Sequence, residues 1–253
     1  MRILYRALFL SDIHFPTHND AMLNLETGKL WKLLKNVKYE KIIQIGDLVC
    51  FDDFSSHDPI PGQEADSLAT IELVKGFNKR LRSAAPKSEI IYVEGNHEIR
   101  LERYLLRRAP HLLPFGCLSV PSLFELDRHD IKWKPYRSRL FVDGLKVTHG
   151  TLCRPDSGNS ARAEIKKAKY NTGVSGHCHR LGLVKECDVA WMELGHLADP
   201  DYSKHSYLGD SDANWNAGFG EGFCYENEGG KRRWILKPIE IQDGAFVVDG
   251  KLY

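Results

Sequence analysis

Five short apolar runs, each cut off abruptly by a cluster of Asp, His, Asn and Gly, constrain this 253-residue chain more than any other feature. Residues 7–10 lead into Ser11-Asp12-Ile13-His14, and residues 41–45 into Gly46-Asp47. Residues 89–93 precede Gly95-Asn96-His97-Glu98, the run ending at Val147 precedes His149-Gly150, and residues 172–175 precede Gly176-His177-Cys178-His179. Short apolar runs bounded in this way read as buried strands. Polar clusters at the carboxyl ends of strands converge on one edge of a sheet, where α/β proteins bind their ligands. The expectation is therefore a single site assembled from five separated segments.

Between the runs the apolar spacing turns helical. Met22, Leu23, Leu30, Trp31, Leu33 and Leu34 mark one such stretch, and residues 64–81 carry Ile71, Val74, Phe77 and Leu81 at helical spacing. Residues 98–108 predict a short helix stopped by Pro110. The second half is richer in strands. Asp143-Gly144 between two apolar runs predicts a hairpin, and a further hairpin in the tail turns at Asp243-Gly244 or Asp249-Gly250. Residues 160–170 read as a polar helix, with short strands near 172–175, 181–184 and 189–194. The tract 197–216 is polar and irregular, and it or the 50–65 segment could roof a site. Strands alternating with helices, followed by strand pairs, predict stacked mixed α/β layers in one domain over residues 1–253.

Composition narrows the function classes. Hydrophobic residues make up 42% and charged residues 27%, as in ordinary soluble enzymes. A net charge of +1 gives no whole-molecule field for nucleic acid or an anionic membrane. Local clusters such as Lys166, Lys167 and Lys169, or Lys231-Arg232-Arg233, stay open as either binding groups or solvated surface. No stretch approaches the ~20 apolar residues of a membrane span. The apolar run after Arg2 and Arg6 is too short for a secretion signal. Six cysteines at irregular spacing, with no C-x-x-C pair, favour a reducing cytoplasm. Nothing marks a dimer interface.

Carboxylate, imidazole and amide oxygen together suit Mn, Fe and Zn. The one-residue gap in Asp12/His14 and His177/His179 would put both side chains on one face of an extended segment. Glycines at 46, 95, 150 and 176 would let the backbone turn tightly beside ions. Taken in order, the motifs D-x-H, G-D, G-N-H-E, H-G and G-H-x-H resemble those of the calcineurin-like metallophosphoesterase superfamily, over residues 12–179. The flanks GNHEIRLERYL and NWNAGF are similar to those of phage and bacterial phosphoesterases.

The resemblance implies a layered α-β-β-α sandwich with mixed sheets and two divalent ions, Mn first, with Fe, Zn or Mg as alternatives. It assigns Asp12, His14 and His179 to one ion, Asn96, His149 and His177 to the other, and Asp47 to a bridge between them. His97 would be no ligand but the general acid facing the scissile phosphate. A phosphodiester is then the expected substrate. A nuclease acting on DNA or RNA, a phosphomonoesterase and a catalytically silent binding module are the rivals. Cys50-Phe51 depart from the polar residues many relatives carry there.

Plainer readings stand beside these. Six histidines outside the motifs, at 18, 57, 111, 129, 196 and 205, read as surface or core, with His196 able to approach the site. Strand alternation would turn Cys178 away from the ions. Arg100, Arg103 and Arg107 share a helix face. They could grip a phosphate, or form a solvated face paired with Glu98 and Glu102. Trp215 and Phe219 could stack on a base or fill the core.

Overall fold

The computed structural model describes residues 1–56, 66–201 and 214–253. Strands β1 (Arg2–Leu10), β2 (Lys41–Ile45), β3 (Glu89–Val93) and β4 (Ile131–Lys134) run parallel in one sheet. Antiparallel β10 (Gly218–Glu226) and β11 (Arg232–Glu240) extend it beyond β1, giving the order β11-β10-β1-β2-β3-β4. A second sheet takes β5 (Leu140–Val142), β6 (Leu145–Thr148), β7 (Gly173–Ser175), β8 (Gly182–Glu186) and β9 (Val189–Glu193) in the order β5-β6-β7-β9-β8. Within it β6, β7 and β9 are parallel.

Side-chain alternation along the central strands explains the layering. Ala7, Phe9, Ile43, Ile45, Ile91 and Val93 point into a core shared with Leu145, Val147, Val174 and Met192 of the second sheet. Their neighbours Leu8, Leu10, Ile42, Ile90 and Tyr92 point the other way. They pack on helices α2 (Lys29–Asn36), α3 (Ser67–Ala84) and α4 (Ile99–Arg108), through residues such as Trp31, Phe77 and Leu101. On the far side, α6 (Asn159–Lys167) lays Ala161 and Ile165 on Trp191. The result is an α-β-β-α sandwich. Strands buried on both faces need apolar residues at every position, which is why these runs show no polar alternation.

One expectation needs correction, and one element was not foreseen. The five motif-bearing runs do not share one sheet edge: β1, β2 and β3 lie in the first sheet, β6 and β7 in the second. The site is therefore built where two sheets end side by side. The long β10–β11 hairpin is unmarked in the sequence because Gly218, Gly220 and Gly222 depress strand propensity along β10. Close packing explains all three, with Gly218 set against Ile239 O. A Cβ on Gly220 would lie 2.5 Å from Met192 Cε, and one on Gly222 would lie 2.8 Å from Phe9 Cε2. The tail uses both predicted turns, with Gln242 bridging Ala245 across one and Val247–Val248 pairing with Lys251–Leu252 across the other. Asp66 caps α3 by accepting from the Ala69 amide at 2.9 Å, and residue 64, the expected start of this helix, lies outside the described residues. The Asp143-Gly144 hairpin is as expected, with both residues at positive φ (47° and 84°).

Phe9 has no exposed surface and sits between the sheets. Phe9→Ala should therefore cost about 3–5 kcal/mol in urea unfolding. A loss under about 1 kcal/mol would mean that the sheets do not depend on this core.

Candidate metal centre

The loops carrying the motifs are not extended. Asp12, His14, Asp47, His177 and His179 all take left-handed backbone conformations, with φ between 48° and 76°. The shared face expected from strand alternation instead comes from repeated left-handed turning. Such geometry is unfavourable for residues with a Cβ and persists only where the surroundings impose it. Here the Asp12 amide donates to Gly46 O (3.1 Å) and the His14 amide to Asp47 O (3.0 Å), stitching the β1 loop to the β2 loop. The Asp12 carboxylate accepts from the His177 amide at 3.0 Å, tying in the second sheet.

The side chains meet in three overlapping groups: Asp12, His14 and His179; His14, Asp47 and His97; and Asp47, His149 and His177. Within each, the candidate ligand atoms lie within 4.8 Å of one another. His14 Nε2 lies 3.1 Å from His179 Nε2, which is 3.2 Å from Asp12 Oδ1. His149 Nδ1 donates to Ile45 O at 2.8 Å. Its Nε2 lies 3.1 Å from both Asp47 Oδ2 and Asn96 Oδ1. Two oxygens so placed call for positive charge at Nε2, either a proton or a metal ion in its place, and a carbonyl fixing the other ring nitrogen is how metal-binding histidines are oriented. The electrostatics agree. Burial alone would lower the His149 pKa, yet Asp47 and Asp12 push it up to about 10. Burial likewise opposes ionisation of Asp47, but His149 and His97 hold its carboxyl well below the usual range. This mixed N/O donor set, short of positive charge, fits divalent cations.

Two features of this arrangement were illegible in sequence. Glu98 has no exposed surface and accepts from the backbone amides of Asp47 (3.1 Å), Leu48 (2.7 Å), Val49 (3.3 Å) and Gly95 (2.7 Å). One carboxylate thus clamps the β2 and β3 loops together. Burial, with Asp47 adding, pushes its pKa up to about 7. The glycines also act differently from the expectation. Gly46 and Gly150 do adopt positive φ, but Gly95 and Gly176 are required by close approach. A Cβ on Gly95 would sit 2.2 Å from Asp47 Oδ1, and one on Gly176 would sit 1.9 Å from Ser11 Oγ and 2.4 Å from Asp12 Oδ2.

His97 is buried, with Nδ1 2.9 Å from Cys50 O and Nε2 3.8 Å from Asp47 Oδ2. Burial lowers its pKa, Asp47 opposes this and Arg100 adds to it. Arg100 does not pair with Glu98 or Glu102 on a solvated face. It turns back to Asp52 Oδ1 (2.7 Å), Cys50 O (2.8 Å) and His97 Nε2 (3.1 Å). The reason is that Glu98 is committed to the loop amides. Cys178 donates its thiol to Leu152 O at 2.9 Å and belongs to none of the three groups. His196 is buried, with its ring 5.7 Å from that of His179. Trp215 packs edge-on against His179 at 4.2 Å, and Phe219 lies in the core. His57 and His205, like most of the two segments considered as roofs, fall outside the described residues.

No family model matches the chain, and no curated protein does. Solved structures do. Vacuolar protein sorting 29 from Cryptosporidium parvum aligns over 100% of this chain and 99% of its own, with 12% identity and a TM-score of 0.51. An archaeal phosphodiesterase aligns over 92% of this chain and 99% of its own, at 16% identity and a TM-score of 0.41. Zinc-complexed Vps29 from Entamoeba histolytica covers 98% and 96%, at 12% identity and a TM-score of 0.44. The chain has the calcineurin-like metallophosphoesterase fold. No helix among the described residues is long and apolar enough to cross a membrane.

Gly176→Ala should displace Asp12 and reduce by at least about half any divalent metal retained after loading and dialysis, because its new methyl has no space beside that carboxylate. Wild-type metal content together with a wild-type melting temperature would contradict this.

Proposed function

We propose that this protein hydrolyses phosphoesters at a pair of divalent metal ions, with phosphodiesters as the preferred class. The observation that carries the reading is the overlap of the three ligand groups, in which Asp47 belongs to two of them. Asp12, His14 and His179 would hold one ion. Asn96, His149 and His177 would hold the other, and Asp47 would serve both. Mn²⁺ is the expected ion of the set Mn, Fe, Zn and Mg. Bound as a pair, such ions would supply a nucleophile from water at neutral pH and offset charge on the phosphoryl oxygens.

The protein's own groups complete the chemistry. Asp47 Oδ1 accepts from the His97 amide at 2.9 Å, which fixes the β3 loop against the bridging position. His97 presents Nε2 on that side and acts as general acid toward the leaving oxygen, a step worth ~10²–10⁴-fold. For this Nε2 must carry a proton, against the lowering of its pKa by burial and Arg100; a bound phosphoester would displace Arg100 from Nε2, and its negative charge would favour the protonated ring. The preference for a diester follows from charge. Arg100 is already paired with Asp52, so the second negative charge of a monoester would find less compensation than the single charge of a diester. A reducing cytoplasm suits the reading, since all six cysteines are free.

The sorting role in the name of the Cryptosporidium relative raises a non-catalytic alternative. It differs in one respect: it requires no turnover. With added Mn²⁺, bis-p-nitrophenyl phosphate should be cleaved at least about tenfold faster than p-nitrophenyl phosphate. The reverse order would make the enzyme a phosphomonoesterase, and no turnover of either would favour the binding module. His97→Ala should lower kcat by about 100-fold or more while two ions remain bound. Loss of an ion would instead make His97 a ligand within the His14/Asp47/His97 group.

A further inference from the structure

Beside the metal centre lies a groove of about 610 Å³ whose lining includes no acidic residue. Arg137, Arg139, Lys146, Lys167 and Lys169 line it, along with the half-exposed ring of Phe141. Thr148 and Thr151 of its wall are the chain neighbours of His149 and Gly150, so groove wall and candidate ligand share one strand end. Among the described residues, no carboxylate lies within ion-pair distance of Arg137, Arg139, Lys146 or Lys169. Lys167 alone has one, Glu164 Oε1 at 3.4 Å, and it also donates to Thr151 Oγ1 at 2.8 Å. The cations are close enough to repel. Burial lowers the Lys146 pKa, and Lys167 and Arg139 lower it further against the opposing pull of Glu164. Five cations with one carboxylate among them repel one another unless a polyanion neutralises them. On a chain of net charge +1, this concentration is local.

We propose that the groove carries the backbone of a single-stranded nucleic acid toward the metal centre, making such strands the substrate class of the phosphodiesterase proposed above, on which this inference rests. The five cations track successive phosphates, and Phe141 offers a stacking face to one base. A cationic track with interleaved aromatic faces is how single strands are held without sequence readout. A base paired in a duplex would have no free face for Phe141.

The test is fluorescence anisotropy of a labelled single strand of about 20 nucleotides, as DNA and as RNA. The full-length chain is used with Mn²⁺ in the His97→Ala background, so that the probe survives. Five phosphate contacts predict a slope of log K against log salt near about −3.5, at ~0.7 per contact for single strands. The triple variant Arg139→Gln, Lys167→Gln, Lys169→Gln changes exposed side chains only. It should weaken binding at least about tenfold and flatten the slope by about 2, with its folding checked by an unchanged melting curve. Phe141→Ala should weaken binding by roughly five- to a hundredfold and leave the slope in place. Equal binding by triple variant and parent would overturn the proposal, as would duplex bound as tightly as single strand. Turnover of bis-p-nitrophenyl phosphate without strand binding would sink the substrate class and leave the phosphodiesterase standing. Groove-dependent binding without turnover of any ester would keep the groove and sink the enzyme.

Discussion

The Asp47 carboxylate is the interaction on which the rest of the centre depends. One oxygen accepts the His97 amide, which locks the loop after β3, and the other lies 3.1 Å from His149 on the second sheet. Three strands from two sheets are therefore registered against one buried anion. Such an anion is expensive to keep charged away from water. It is tolerated because surrounding imidazoles and backbone donors favour its ionised form. Glu98 supports it from behind by gathering the amides of both neighbouring loops, so two buried carboxylates with different tasks stand back to back.

The backbone around them is equally specialised. Five of the candidate ligands occupy left-handed conformations that side chains disfavour, and two glycines leave room that a methyl would fill. Strain of this kind accumulates at functional sites when a rigid framework imposes it. Here the framework is the pair of sheets and their shared core of Phe9, Ile43, Val93, Val147 and Met192. One strand end serves both features: candidate ligand His149 follows groove-wall Thr148 directly at the end of β6, with Thr151 two residues on.

Much of this was legible in the residues alone. Apolar runs of four or five residues identified β2 and β3 to the residue, because strands buried on both faces leave no doubt about period. The residue types of the motifs pointed to a candidate metal site, and the structure brings their imidazoles and carboxylates within ligand distance of one another. The C-terminal hairpin was hidden because glycines that serve packing also erase the strand pattern. Glu98 looked like one half of a surface ion pair with Arg100, and the role it plays requires knowing which amides surround it.

The sequence by itself therefore determined the layered α/β class, the strand ends that bear the candidate ligands and the set of residues that gather there. Only the tertiary structure decided that two sheets share the site, that Arg100 is held by Asp52 and that five scattered cations form one groove. The physical reason is range. Burial and local propensity are properties of neighbours along the chain, whereas the pairing of charges depends on contacts between residues far apart in it. Those contacts exist only once the sheets have closed on their common core.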